Sequence, residues 1–211
     1  MAAPCGLRFD CGRICLDLAA TADGAAERLT GPDHLRAWLT GAGLVPPGTP
    51  LDGVDGRWLG GFRGLRDLLL RVVHDELRGR AAEADLALLN SAAAGQPPAP
   101  RVVRAADGTL ARVLPGPPEC AGLLAAVARD AIGLLTDPDA RGQLRQCEGE
   151  SCTLVYLDTS RGRRRRWCSS EVCGNRERVA RHRRRTTVRR EQSRSAAEGP
   201  VTAAEKYSAG R

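Results

Sequence analysis

Apolar and polar positions along the chain change period several times, and each change marks an element. Leu7 and Phe9, then Ile14, Leu16 and Leu18 with Cys15 and Asp17 between them, alternate at period two and predict two short strands around a turn at Cys11-Gly12. Thr30-Gly31-Pro32-Asp33 has the form of a capping box and precedes Leu35, Trp38 and Leu39, so a short helix ending at Gly41 follows. Residues 45–53 are turn-forming. From Phe62 to Leu77 the set Phe62, Leu65, Leu69, Val72 and Val73 forms one helical stripe with Asp67, Arg71, His74 and Arg78 opposite, and Gly79 ends it. A third helix is predicted over Ala81 to Ala93. RVVR and TLARVL flank Asp107-Gly108 as a hairpin, and a helix over Glu119 to Leu135 is stopped by Thr136-Asp137-Pro138.

Strands and helices occur together without regular alternation, which predicts an α+β fold and argues against a doubly wound sheet. The sequence divides into an α+β domain over residues 1–138, a small module over 141–190, and a tail over 191–211 whose composition predicts disorder. Composition adds little about the core beyond its makeup: with 3% aromatic residues it must be built from Leu, Val and Ala. Charge says more. Residues 1–140 hold 14 Arg against 17 acidic residues, a net −3, whereas residues 141–211 hold 18 basic residues against 8 acidic, a net +10. A block this basic without a matching apolar face points to a polyanion, nucleic acid ahead of a membrane surface.

The N-terminal stretch carries Arg8 and Asp10 where a secretory signal needs an unbroken apolar run, and no apolar run approaches 18 residues, so a cytoplasmic protein without membrane attachment is expected. In a reducing compartment regularly spaced cysteines are better read as metal ligands than as disulfides. Four of the eight are so spaced: Cys147-x4-Cys152, fifteen residues, then Cys168-x4-Cys173. Two thiol pairs separated by a hairpin-length segment are the layout of a tetrahedral structural zinc site, with no open position for catalysis. Buried thiols, disulfides or an iron–sulfur cluster are the alternatives. The apolar residues between 142 and 190 are too few to order so small a module, whereas structural zinc supplies on the order of 10–16 kcal/mol in small peptides. Residues 153–158 and 164–168 are expected to form the intervening hairpin, giving a treble-clef-like outline of knuckle, hairpin and basic helix. Cys11, Cys15 and Cys120 read as small buried side chains, like Cys5, which lacks a matching pair; Cys11-x3-Cys15 is a weaker metal or redox pattern. His182 is surplus to a complete tetrahedron.

A helix from about Asn175 places Arg178, Arg181, Arg185 and Arg189 in one arc, with Arg176 and Arg183 on a second. Like charges at i, i+4 cost roughly 0.2–0.5 kcal/mol a pair in an isolated helix, and phosphates would reverse that sign. Arg163, Arg164 and Arg165 add to the basic surface. Duplex DNA is the expected partner, with RNA or a protein as the alternative. An enzyme is not expected: there is no P-loop, HExxH or GxSxG, and an active site would have to be assembled from scattered residues such as Arg13 and Asp17, the candidates for a ligand site in the first domain. The identity of any small-molecule ligand is not encoded in recognisable form.

The segments LVYLDTS, RRWC, CGNR and ARHRRR resemble the CGNR zinc-finger family of bacterial proteins, and LRFDCGRICLDLAATAD, GPDHLRAWLTGAGL, GLRDLLL and ADLALLNSAA resemble the ABATE domain that accompanies this finger. The resemblance covers about residues 5 to 190. It implies a stress-induced transcription regulator that binds DNA, one zinc on Cys147, Cys152, Cys168 and Cys173, and a signature at Cys173-Gly174-Asn175-Arg176. This chain departs from the family pattern at Cys11, where glycine is usual, and at Ala20-Thr21, where Asn-Thr is usual. Within the signature, Gly174 would ease entry into the helix, Asn175 would cap it, and Arg176 would meet either a carboxylate such as Asp158 or a phosphate. Trp167 completes the structural set.

Overall fold

A computed structural model describes residues 6–23, 26–150 and 152–197, with side chains through residue 188 apart from that of Asp23. Cys5, the side chain of Arg189 and residues 198–211 lie outside the described residues. The chain forms two compact units, 1–168 and 169–211.

The first unit is α+β, as expected, with helices dominating. In chain order it contains α1 (Ile14–Ala19), β1 (Ala22–Asp23), β2 (Ala26–Glu27), α2 (Pro32–Gly41), α3 (Gly56–Glu76), α4 (Glu83–Ala93), β3 (Arg101–Arg104), β4 (Leu110–Val113), α5 (Cys120–Thr136), α6 (Pro138–Gly142), β5 (Leu144–Gln146) and β6 (Val155–Leu157). The strands form three separate antiparallel pairs, β1-β2, β3-β4 and β5-β6. Helix α3 is the central element and packs on α1, α2, α4 and α5. Its expected stripe is the buried one: Phe62, Leu65, Leu69, Val72 and Val73 all face the core. Trp38 meets Phe62 with ring centroids 5.8 Å apart at 60°, and both are fully buried. Side chains of this size each stabilise the fold by about 1.5–3 kcal/mol when buried. Close approach between α5 and the segment that follows α4 depends on Gly122, where a Cβ would lie 2.7 Å from the Gln96 carbonyl oxygen.

The hairpin β3-β4 has the expected register, Arg104 opposite Leu110 across the Asp107-Gly108 turn. Helix α3 begins six residues before Phe62, because Asp55 caps it by accepting from the backbone N–H groups of Arg57 and Trp58. The capping box ahead of α2 is not made: the N-cap is Gly31, and Thr30 Oγ1 instead lies 2.9 Å from His34 Nδ1.

The opening strands are the main correction. Residues 14–19 form α1, not a strand. Alternation implies one wet face, yet Cys15, Leu16, Asp17, Leu18 and Ala19 are all buried. The helix N-terminus is closed from outside the segment, by Asp130 on α5, whose carboxylate accepts from Cys15 N at 3.0 Å and from Arg13 Nε at 2.9 Å. An acidic group at that end also meets the positive end of the helix dipole.

In the second unit α7 spans Cys173–Ala197, so the helix continues past Arg190 into residues whose composition predicts a disordered tail.

Candidate metal centre and nucleic-acid interface

Strands β5 and β6 pair with Leu144 opposite Leu157 and Gln146 opposite Val155. The pairing continues into Cys147, whose N–H donates to the Leu154 carbonyl at 2.8 Å, and the chain turns tightly where Cys152 N donates to Gly149 O. The first cysteine pair therefore sits at the tip of a hairpin that encloses it. Residues 155–157 pair with β5 and not with the expected return segment 164–168, so the strand pair flanks the first knuckle. Leu144 gives β6 an apolar partner, which the arginine-rich return segment could not.

That return segment is ordered by side chains. Buried Asp158 accepts from Ser160 Oγ at 2.5 Å, Ser160 N at 3.0 Å and Arg165 N at 2.9 Å. These donors, the Ser160 hydroxyl first, hold the Asp158 carboxyl below its usual range. Arg165 turns inward: its guanidinium lies 4.4 Å from the Tyr156 ring centroid and donates to the carbonyls of Trp167 and Cys168. Half-buried, this arginine of the expected nucleic-acid set is thus also tied into the scaffold. Trp167 is half-buried beneath Arg166, whose side chain also pairs with Glu148.

The ligand atoms of Cys147, Cys152, Cys168 and Cys173 all lie within 4.8 Å of one another, and all four residues are buried. Cys152 and Cys168 sulfurs are 3.7 Å apart, far beyond a disulfide bond and close to the edge of about 3.8 Å that a tetrahedron with Zn–S of ~2.3 Å requires. Cys168 N donates to Cys147 Sγ at 3.3 Å. Burial pushes the Cys147 thiol up, but the N–H groups of Cys168 and Gly149 outweigh it and draw it down; burial pushes Cys152 up, and neighbouring thiolates reinforce this. Four such thiols need a cation in order to ionise together. The donor set fits zinc, and the site is structural because every ligand is a thiolate.

One further side chain reaches this centre. Arg8 Nη1 lies 3.0 Å from Cys168 Sγ, Nη2 lies 2.8 Å from the Cys168 carbonyl oxygen, and Asp10 holds the same guanidinium from the other side. In the sequence its only signal was a charge pair interrupting an apolar run.

Helix α7 starts on the ligand Cys173. Gly174 is its second residue and donates to Ser169 O, and Asn175 is the third, inside the first turn and not at the cap position expected for it. Arg176, Arg178, Arg181, Arg183 and Arg185 are exposed, as is every residue from 181 to 188, His182 included. Glu177 is paired with Arg184 at 3.7 Å. In the first unit Arg163 and Arg164 are exposed, Arg163 in the left-handed region at φ 48°.

Arg13 and Asp17 are each engaged by partners within the first unit. Arg13 is paired with Asp130 at 2.9 Å, and Asp17 is buried with its carboxylate accepting from Cys11 N at 3.0 Å. Burial pushes Asp17 up to about 6, against the lowering effect of that hydrogen bond. A cavity of the first unit lies among α3, α4 and α5 and is lined by Leu65, Leu68, Leu88, Ala121 and Leu124. Cys11 and Cys15 are buried thiols pushed up by desolvation, Cys11 to about 12, and neither belongs to a cluster of three or more metal-ligating groups among the described residues. Half-buried Cys120 opens α5, and burial pushes it up to about 11.

Among the described residues no helix is long and apolar enough to cross a membrane. Residues 12–138 match the family model ABATE, described as "Putative stress-induced transcription regulator", and residues 143–186 match the CGNR zinc finger. No curated protein matches the chain. The chain belongs to the ABATE family and carries a CGNR zinc finger after its ABATE region.

Proposed function

We propose that this protein is a non-enzymatic transcription regulator of the cytoplasm that binds duplex DNA through the arginines of α7. The observation that carries this reading is the surface of that helix. It begins on a metal ligand and exposes Arg178, Arg181, Arg183 and Arg185 with no apolar stripe to bury. Arg181 and Arg185 are like charges at i, i+4, an arrangement that costs stability until phosphates neutralise it. Phosphate contacts position a protein on the duplex, and bidentate arginine contacts to guanine supply sequence preference. Arg163 and Arg164 are further candidates for phosphate contacts. RNA association or protein interaction is the alternative role for such a module.

The test is a titration of labelled duplex at increasing salt. With about five to eight phosphates contacted, log K should fall with log[salt] at a slope of about −5 to −7. A flat response would eliminate this mechanism. Competition with structured RNA and single strands separates the two nucleic-acid readings: preference for RNA would replace the duplex reading, and absence of any nucleic-acid binding would leave protein interaction.

A further inference from the structure

We propose that Arg8 is a positioning residue of the zinc centre, holding the Cys168 thiolate by a paired contact and restraining its reactivity. Four thiolates on one dication leave a net charge of −2 in a site whose cysteines are 0–7% exposed. Uncompensated buried charge is costly, and a guanidinium in contact with a sulfur offsets part of it. Cys168 is the most enclosed of the four, at 0% exposure, so water does not reach its sulfur. Arg8 places a charged donor directly on that sulfur. Nη1 donates to Sγ while Nη2 donates to the carbonyl of the same residue, and the planar fork makes the two bonds one geometric unit. Asp10 takes Nε at 2.9 Å and Nη2 at 2.8 Å, fixing the plane of the fork. Leu7 and Cys11, both buried, anchor the segment on either side. Arg8 precedes the residues matched by either family model.

An N–H donor draws electron density from a thiolate, which lowers its nucleophilicity and strengthens its orientation toward the metal. The proposal depends on the zinc assignment and not on DNA binding. The experiment therefore starts by showing one equivalent of zinc in the purified full chain; absence of bound metal would overturn the assignment and this proposal together. R8M, R8Q and R8K are then compared with wild type in three measurements. Competition with a chromogenic chelator should show zinc bound about 10- to 100-fold more weakly in R8M. Treatment with iodoacetamide, in which each attack forms an S–C bond and expels iodide, should release zinc several-fold faster in R8M and R8Q. In cobalt-substituted protein the thiolate-to-metal charge-transfer band should move to longer wavelength, because loss of the hydrogen bond raises the energy of the sulfur donor electrons. R8K keeps the charge but not the paired fork, so it should fall between. Wild-type affinity, release rate and band position in folded R8M or R8Q would overturn the proposal. Should both fail to fold, R8K decides it: wild-type release and band position there would show that the paired contact is immaterial.

Discussion

Asp130 offers the sharpest test of how the first unit is held together. Its carboxylate caps α1 through Cys15 N at 3.0 Å and holds the Arg13 guanidinium at 2.9 Å, with the Asp130 side chain 19% exposed and that of Arg13 31% exposed. Removing a helix cap costs about 0.5–2 kcal/mol, and a hydrogen bond to a charged group contributes about 1.5–3 kcal/mol. Partial solvent access on the Arg13 side discounts the sum, so Asp130→Ala should destabilise the protein by roughly 2–4 kcal/mol. For a unit of this size that lowers the melting temperature by roughly 5–15 °C. Asp130→Asn, which keeps the shape and one acceptor, should cost about half as much. The assay is urea unfolding followed by Trp fluorescence and circular dichroism, run with Arg13→Met and the double variant. A coupling free energy above roughly 0.5 kcal/mol is expected from the cycle. Stability of D130A within ~0.5 kcal/mol of wild type would refute the capping argument and return Arg13 to the ligand-site reading.

The other outcomes follow from the same geometry. Replacing Arg181 and Arg185 together by Ala should weaken duplex binding and make the salt slope shallower by about 2 while zinc content stays at one equivalent, read by anisotropy and elemental analysis; unchanged affinity would take α7 out of the interface. Chelation of the metal from a state holding zinc at a thousand times its dissociation constant should lower stability by about 4 kcal/mol and reduce helical ellipticity; an unchanged melt would deny the metal its structural role. Arg165→Ala should lower the melting temperature by several degrees through loss of its contacts to Tyr156, Trp167 and Cys168, whereas Arg164→Ala should leave it unchanged, as differential scanning fluorimetry can decide. Asp17 is raised in the folded state, so the folded protein binds that proton more tightly than the unfolded chain. Its contribution to stability is largest below the ordinary aspartate range and is lost as pH rises through about 6. Asp17→Asn should remove a pH-dependent difference of at most about 3 kcal/mol, and superimposable pH–stability curves for the two proteins would exclude it.

Local rules settled much of this protein in advance. The α3 stripe from Phe62 to Val73, the Asp107-Gly108 hairpin, the proline-bounded α5 and the four ligand cysteines were legible because each depends on near neighbours: a helical period, a turn dipeptide, a fixed spacing between thiols. Charge asymmetry likewise located the basic helix, since net charge is a property of composition. Tertiary structure decided the rest. Residues 14–19 are helical because Asp130, more than a hundred positions away, closes their N-terminus and the core surrounds them. Strand β6 pairs with β5 because Leu144 offers burial that an arginine run does not. Arg165 faces inward because Asp158 takes its N–H and Tyr156 takes its guanidinium, and Arg8 reaches Cys168 across 160 positions of chain. In each of these cases the partner is supplied by the folded neighbourhood, and the hydrogen bond or burial it provides exceeds the few tenths of a kcal/mol by which local preference distinguishes one conformation from another.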